Sequence, residues 1–453
     1  MAESTQPTLT SLAARISELA GKLDGYIEEQ KIPKVSFDAD SPTKYPNLSP
    51  EMFMVRQQLL DSLNDLEILA QGPSESVFNY VHSAVPNAAA LNTLNSFNFW
   101  SAVPVNGSAS YEEVAAKVSL PRDVVYRLLQ HAVTMRLFAE TRAGAGPARI
   151  QHTSRSAALA QSTGLQALVS SILDDSGAPL MVLNEALRRY SAGKPGLSQR
   201  MDETSFALLH AGGQFGQFRN SWELLENDGA GDRQGWRQRN FVEFMRYLKE
   251  LFHLEDVVLN SYQWPAEGKV TVVDLGGSAG HDAMVLARKF PEIDITVQDL
   301  KQVQPAFDAA LPQDLADRVR FREHSFFDQQ PVQADIYLLK MILHDWPDEE
   351  CTTILRNLIP VLKPGAKVVL IEYIGGAGEE EEEKSADGPE LPRSLKQYGT
   401  ATDLRLMAMF NGKERPISKW KSIFEAADQR FKVVKTEAVS SGFFGIVEAV
   451  WQE

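Results

Sequence analysis

The chain has 453 residues, of which 43% are hydrophobic, and a formal net charge of −15. The acidic balance argues against partners that need a basic surface, such as nucleic acids and anionic membranes. A single cysteine, Cys351, excludes a disulfide scaffold and a cysteine-rich zinc site, so we expect no metal centre and a reducing compartment, the cytoplasm. The sequence has no apolar run long enough for a transmembrane helix, and its polar start lacks a signal-peptide core.

Two amphipathic helices are predicted near the N-terminus, over residues 8–30 and 51–70, with a proline-rich linker between them. Pro73 is expected to end the second helix. The apolar stripe of the first helix must pack on its own domain or on a partner subunit. We therefore expect residues 1–72 to contribute to a dimer contact.

Residues 73–260 are predicted to be mainly helical and to include a winged helix-turn-helix. A capping box starts one short helix at Ser110, and a second helix follows over 122–134. Such a module either binds DNA, as in a transcriptional regulator, or serves packing and dimerisation. Because the helix that would contact DNA offers two arginines in an acidic chain, we favour dimerisation. The segments that could pair as the wing are 138–140 and 149–151.

Beyond residue 260 strands alternate with helices, which indicates a doubly wound, Rossmann-like α/β domain over 261–453. The last two strands, joined through Ser440, Ser441 and Gly442, are expected to form an antiparallel hairpin, so the sheet would be mixed. A run of five glutamates, Glu379–Glu383, is expected to be a mobile surface loop. The predicted strands are 270–274, 294–297, 335–339, 366–372, 431–436 and 443–450.

A glycine-rich turn after the first predicted strand contains Asp274, Gly276, Gly277 and Gly280. Its spacing departs from the dinucleotide fingerprint, and Asp274 would repel a pyrophosphate. The turn therefore favours S-adenosylmethionine (SAM), which carries an amino group and a sulfonium. Asp299, at the end of the second strand, would accept hydrogen bonds from both ribose hydroxyls. The alternative is that Asp299 is a solvated helix cap.

His344 lies just beyond the strand 335–339, at the edge where open α/β sheets bind ligands. A histidine there can serve as a general base, or it can be a capping or core residue. Glu372, which ends an apolar strand, and Glu414, in a later loop, could orient the imidazole and stabilise its cation. Hydrolysis is unsupported, because no nucleophile elbow accompanies the histidine.

The chain resembles the SAM-dependent O-methyltransferases of the plant caffeate and fungal secondary-metabolite (sterigmatocystin-like) type. The resemblance extends over about residues 88–451. It implies a class I methyltransferase fold, preceded by an all-helical winged-helix-like dimerisation domain, and a homodimer. It also implies that SAM methylates a hydroxyl of an aromatic or polyketide-like metabolite. The matching segments, in family order, are 274–280, 298–300, 340–349, 362–365, 371–372 and 412–415.

The resemblance also implies which residues hold the cofactor. Phe326 would pack on the adenine, and Lys340 would contact the cofactor from its strand. Ser325 stands where the family usually has an acidic residue, and its hydroxyl can still hydrogen-bond adenine. The complete set expected to bind SAM is Asp274, Gly276, Gly277, Gly280, Asp299, Leu300, Ser325, Phe326 and Lys340.

For the chemistry, the resemblance implies that His344 deprotonates the substrate hydroxyl. Glu372 and Glu414 would flank and orient it, and Asp345 would lie beside the transferring methyl group. Some fungal proteins that resemble this family bind SAM and catalyse pericyclic ring formation or dehydration without methyl transfer, and Lys340 could activate a carbonyl in that case. We favour methyl transfer, because the histidine and both glutamates occur together.

Overall fold

The structure is a computed structural model of the chain, and it divides into two compact units. The units are Met1–Asp174 with Glu390–Lys396, and Asp175–Pro389 with Gln397–Glu453. The helices over 175–260 thus pack in the same unit as the later strands, and the division near residue 260 stays a prediction. The glutamate run and the Ser440–Gly442 link lie outside the described residues, which are 6–45, 48–141, 147–211, 216, 218–252, 254–260, 262–264, 268–373, 391–438 and 444–453.

The first unit is helical with a small antiparallel sheet in the order β1-β3-β2. The two segments expected to form a wing do pair, as β2 and β3. Gly72 has a φ of 76° and ends one helix, and Pro73 begins the next one. The strands are β1 (Ser108–Ala109), β2 (Phe138–Glu140) and β3 (Ile150–His152). The helices are α1 (Leu9–Glu29), α2 (Pro50–Gln71), α3 (Pro73–Ser96), α4 (Phe99–Ala102), α5 (Tyr111–Val118), α6 (Arg122–Thr134), α7 (Ser154–Gln161) and α8 (Thr163–Val169).

Further helices precede, connect and follow the strands of the second unit. No helix within the described ranges combines the length and the apolar character that crossing a membrane requires. These helices are α9 (Gly177–Met181), α10 (Leu183–Tyr190), α11 (Ser205–His210), α12 (Ser221–Asn227), α13 (Trp236–Phe252), α14 (Leu254–Asn260), α15 (His281–Lys289), α16 (Gln304–Ala310), α17 (Asp348–Leu358), α18 (Arg393–Phe410) and α19 (Ile417–Ala427).

Among the described residues of the second unit, seven strands form one sheet in the order β6-β5-β4-β7-β8-β10-β9. The first five in this order are parallel, and β10 runs antiparallel to both β8 and β9. The predicted mixed sheet with a terminal hairpin is confirmed. The strands are β4 (Val270–Leu275), β5 (Ile293–Asp299), β6 (Val319–Glu323), β7 (Ile336–Lys340), β8 (Lys367–Tyr373), β9 (Phe431–Ala438) and β10 (Phe444–Trp451).

The sheet carries an apolar core on each face. Successive residues of β7 alternate between the two cores, with Leu338 in one and Leu339 in the other. The chain runs outward from β4 to β6 and then crosses back to β7, which pairs with β4. Because β4 and β7 are parallel neighbours, the turns that follow them lie side by side at one edge of the sheet. Such a reversal of strand order is where doubly wound folds bind ligands.

Candidate active site

The turn after β4 allows close approach of the backbone to its surroundings. Gly276 has a φ of 69°, and a Cβ there would lie 2.5 Å from Cδ1 of Ile342. A Cβ on Gly277 would overlap the carboxylate of Asp274. The turn ends at Gly280, the N-cap of α15. Side chains at the first two positions would therefore displace the residues that surround the turn.

Asp274 presents an unsatisfied carboxylate to this turn. Its Oδ2 is buried and has no hydrogen-bond partner among the described residues. Burial and the nearby Asp282 raise its pKa to about 7, against the attraction of Lys249 and Lys340. A buried acceptor without a donor suits a cationic ligand group, such as the amino group of SAM.

Lys340 is engaged in a buried ion-pair triad. Its Nζ lies 2.9 Å from Oδ1 of Asp282, and Nζ of Lys249 lies 3.1 Å from Oδ2 of the same carboxylate. Lys340 was predicted at this site from the sequence, whereas Asp282 and Lys249 were not. A signal for Asp282 was available, since acidic residues in the first turn of a helix are stabilised by its dipole.

Asp299, the last residue of β5, is fixed by two backbone donors. Its Oδ2 accepts from the Ser278 amide at 2.9 Å, and its Oδ1 accepts from the Leu300 amide at 2.7 Å. Burial raises the pKa of this carboxyl, and the two amides oppose that rise. Each oxygen keeps acceptor capacity, so the arrangement fits a pair of ribose hydroxyls. Leu300 is 36% exposed beside it.

The loop after β6 places two phenyl rings next to the glycine turn. Phe326 lies 3.8 Å from the Cβ position of Gly276 and makes an edge contact with Trp346. Phe327 is exposed, and its ring also meets Trp346. The Ser325 hydroxyl accepts from the Phe327 amide at 3.3 Å and keeps its own proton to donate. This polar and aromatic surface fits an adenine.

His344 lies in a short 3₁₀ turn, Leu343–Asp345, shortly after β7. Its Nδ1 is 3.0 Å from Oε1 of Glu414, and its Nε2 is 3.7 Å from Oδ1 of Asp345. The His344 and Glu414 side chains are buried. Because a carboxylate only accepts, Nδ1 carries a proton toward Glu414, which leaves Nε2 as the reactive nitrogen. The structure thus brings the predicted His344, Asp345 and Glu414 together.

Glu372 supports the same turn through its backbone. Its Oε1 accepts from the amides of Ile342 at 3.2 Å and Leu343 at 2.8 Å. Its Oε2 is buried without a partner among the described residues. Burial raises the pKa of this carboxyl to about 7, although His344 opposes the rise. Glu414 therefore contacts the imidazole ring, whereas Glu372 holds the chain that carries it.

Three carboxylates set the charge of His344. Burial lowers the pKa of the imidazole, but Glu414, Asp345 and Glu372 outweigh it and raise the pKa to about 10. Burial has the opposite effect on the carboxyl of Asp345. It raises the pKa of that group to about 6, although the attraction of His344 lowers it. The imidazole is therefore expected to be protonated at neutral pH.

The loop that carries Glu414 packs closely against the His344 turn and is hydrogen-bonded to it. A Cβ on Gly412 would lie 2.5 Å from the His344 carbonyl oxygen, and the Lys413 amide donates to that oxygen at 3.0 Å. Arg415 donates to the carbonyl oxygens of Leu343 at 3.2 Å and Trp346 at 2.7 Å. This loop matches the family by resemblance, which assigns no role to Arg415. Its acceptors include the backbone oxygens of Leu343 and Trp346, which have no sequence signature, and the carboxylate of Asp348.

An aromatic cluster borders the catalytic turn. Trp222 stacks on Trp346, with ring centroids 5.9 Å apart, and on Phe410 at 5.0 Å. Phe241 meets Trp222 edge-on at 6.3 Å. Such a cluster suits a flat, conjugated substrate.

Comparison with known proteins gives the family and the fold. The family model of the O-methyltransferase domain matches residues 230–430. The O-methyltransferase lcsG of Purpureocillium lilacinum is 39% identical over 455 residues, covering 99% of this chain and 96% of that protein. The crystal structure of OxaC aligns with a TM-score of 0.73 at 19% identity, over 98% of this chain and 99% of that one. A pericyclic reaction enzyme aligns with a TM-score of 0.65 at 22% identity, over 88% of this chain and 95% of that one. The two structures share the fold of this chain.

Proposed function

This chain belongs to the SAM-dependent O-methyltransferases of secondary metabolism, and we propose that His344 is the general base of its methyl transfer. One observation carries this proposal: Glu414 holds Nδ1 of the imidazole at 3.0 Å, in a turn that neighbours the glycine turn after β4. The base is thus oriented beside the part of the site that fits SAM.

When bound, SAM supplies a methyl group that its sulfonium already activates, and S-adenosylhomocysteine is the leaving product. Nε2 of His344 takes the proton of a substrate hydroxyl as the new C–O bond forms and the S–C bond breaks. A phenol has a pKa near 10, which a histidine base can reach. Glu414 stabilises the imidazolium that results. The organic product is a methyl ether.

The cofactor assignments extend the proposal to the other predicted residues. Asp299 would bind the ribose hydroxyls, and the unsatisfied oxygen of Asp274 would bind the amino group. Phe326 would pack on the adenine, and Asp345 would lie beside the transferring methyl group, where its negative charge would favour the adjacent sulfonium. Lys340 pairs with Asp282 and holds it in place. This contact favours a structural role for Lys340 over a direct contact with the cofactor.

Product mass tests the reaction. The protein is incubated with methyl-labelled SAM and a panel of hydroxylated aromatic and polyketide-like compounds. Methyl transfer predicts a product one methyl group heavier that carries the label. A product isomeric with its substrate, or one that has lost water, formed while SAM is not consumed, would contradict methyl transfer and favour the cyclase alternative.

The pH dependence of kcat/KM should follow the protonation of His344. Because Nε2 must be unprotonated to accept a proton, and the pKa of His344 is raised to about 10, the rate should rise from neutral pH into the alkaline range. In Glu414→Gln a carboxylate that raises this pKa is lost, so the inflection should move to lower pH, with a lower plateau. Rates measured between about pH 6 and pH 10 test this. An unchanged inflection would assign the profile to the substrate hydroxyl.

We also propose that the protein is a homodimer that uses α3. This helix exposes one apolar stripe, in which Val77 is 63% exposed and Val81 67%. Apolar patches of this kind mark interaction surfaces. The same helix borders a groove of about 430 Å³ against α6, which continues the apolar surface. The groove is lined by Pro86, Ala89, Ala90, Thr93, Val124, Arg127, Leu128 and His131.

A charge on this stripe should weaken the dimer. Val81→Glu would bury a carboxylate at the interface, so we expect the dimer dissociation constant to rise by at least about tenfold. Light scattering after size exclusion measures the mass. Val434→Glu is the matched control, because Val434 is similarly exposed but lies on β9. A Val81→Glu protein with the wild-type dimer mass would exclude α3 as the interface.

We propose the cytoplasm as the compartment. The lone Cys351 is buried, and burial raises the pKa of its thiol to about 12, so it is packed as an apolar residue. A chain with this cysteine usage suits a reducing environment. Imaging of a fluorescent fusion tests the location.

A further inference from the structure

Arg405 is a half-buried cation that makes no hydrogen bond or ion pair within the described part of the chain. It lies on α18, which borders the catalytic centre. Two residues earlier, Oδ1 of Asp403 accepts from the Glu414 amide at 2.7 Å. One turn later, Met409 is buried against Phe206. Arg405 and Met409 lie on the same face of the helix.

The guanidinium of Arg405 acts on the catalytic carboxylates without binding them. Its charge opposes the rise in the pKa of Asp345, and burial is the main cause that lowers the pKa of Arg405 itself. The nearby Arg415, by contrast, is fully engaged with carbonyl oxygens and the Asp348 carboxylate. Charges withdrawn from water are normally paired. Asp345 and Glu414 attract its charge from a distance, but within the described residues the donors of Arg405 have no hydrogen-bond acceptor.

A second donor without an acceptor lies in the same site. Nε1 of Trp222 is buried and has no hydrogen-bond partner among the described residues. Its ring stacks on Trp346, which directly follows Asp345, and on Phe410 at the end of α18. The site thus combines aromatic walls with two unmatched donors, one charged and one neutral. Both donors call for a ligand rich in acceptor oxygens.

We propose that Arg405 binds a carboxylate of the substrate, and that the substrate is an aromatic hydroxy acid. The inference rests on the proposed function, because the hydroxyl of the same molecule must reach His344. A guanidinium binds a carboxylate through two parallel hydrogen bonds, which also fixes the orientation of the ring. The anionic acid fits better than a neutral carbonyl, because charge-assisted hydrogen bonds to a guanidinium are stronger than neutral ones. The carboxylate is unchanged in the reaction.

Paired probes test this inference. The acids 2-hydroxybenzoate and 2,4-dihydroxybenzoate are compared with their methyl esters, which keep the ring and the hydroxyls but lose the charge. Binding is read from tryptophan fluorescence with S-adenosylhomocysteine present, and methyl transfer is read with SAM. We expect the wild type to bind the acids about 10- to 100-fold more tightly than the esters. Arg405→Met should abolish this preference and leave ester binding unchanged.

The exposed Arg288 on α15 provides the matched control, and Arg288→Met should keep the preference. If Arg405→Met does not fold, Arg405→Lys should show a smaller loss for the acids, because a lysine keeps the charge without the planar fork. Equal binding of acids and esters to the wild type, no binding of either acid, or an equal loss for both in Arg405→Met would overturn the inference.

Failure of the carboxylate site and failure of methyl transfer would give different results. If the esters are methylated and the acids are neither bound nor methylated, the carboxylate site is wrong and methyl transfer stands. If the acids bind in an Arg405-dependent manner but no tested compound, including the metabolite panel, receives a methyl group, the carboxylate site stands and the proposed function fails.

Discussion

Replacing His344 by alanine is expected to lower kcat for methyl transfer by about 10²- to 10⁴-fold, the usual contribution of a general base. The affinity for SAM should change little, because the ring contacts Glu414 and Asp345. Steady-state rates with labelled SAM and calorimetric titration of the cofactor measure the two quantities. Wild-type turnover in this variant would show that another group removes the proton.

Two controls separate loss of a base from loss of structure. Added imidazole should restore part of the rate of His344→Ala, because the cavity left by the side chain opens where the base was. A substrate analogue with an acidic hydroxyl, already ionised at the assay pH, should lose far less rate than the native phenol. If both substrates lose rate equally, His344 positions the substrate and does not take its proton.

Replacing Arg415 by methionine is expected to reduce the free energy of unfolding by about 2–4 kcal/mol, because buried backbone acceptors and one ion pair lose their partner. The Arg415 side chain is 1% exposed, its Nη2 lies 2.7 Å from Oδ1 of Asp348, and its guanidinium stacks over Trp420. Methionine would leave Asp348 and the Leu343 and Trp346 carbonyl oxygens without these donors. Activity should also fall, because these carbonyls flank His344. Urea denaturation followed by fluorescence measures the loss.

Arg430 is the matched control for this prediction. It also pairs with an aspartate, Asp428 at 2.8 Å, and lies over a tryptophan ring, Trp451. Its side chain is 50% exposed, so water replaces the contacts when they are lost. Arg430→Met should therefore lower the free energy of unfolding far less than Arg415→Met does. Similar losses in the two variants would mean that burial does not set the contribution of Arg415.

Most of the sheet was predictable because its strands are strongly apolar. Residues 272–274 and 368–372, within the predicted strands 270–274 and 366–372, are buried on both faces in the structure, as continuous apolar runs indicate. The strand β6 was missed, because Val319–Glu323 carries two arginines and a glutamate. Such a sequence lacks the pattern of a buried strand. It forms a strand because its backbone pairs with the edge of β5, and that edge exists only once the sheet has assembled.

The sequence by itself determined the order of the chemical parts: a glycine turn after one strand, Asp299 after the next and His344 after a third. Local periodicity and glycine spacing carry that information. The tertiary structure alone decided how distant side chains divide their roles. Glu372 and Glu414 are equivalent candidates by residue type, but the fold directs Glu414 to the imidazole and Glu372 to backbone amides. The physical reason is that hydrogen-bond partners far apart in the chain meet only through strand order.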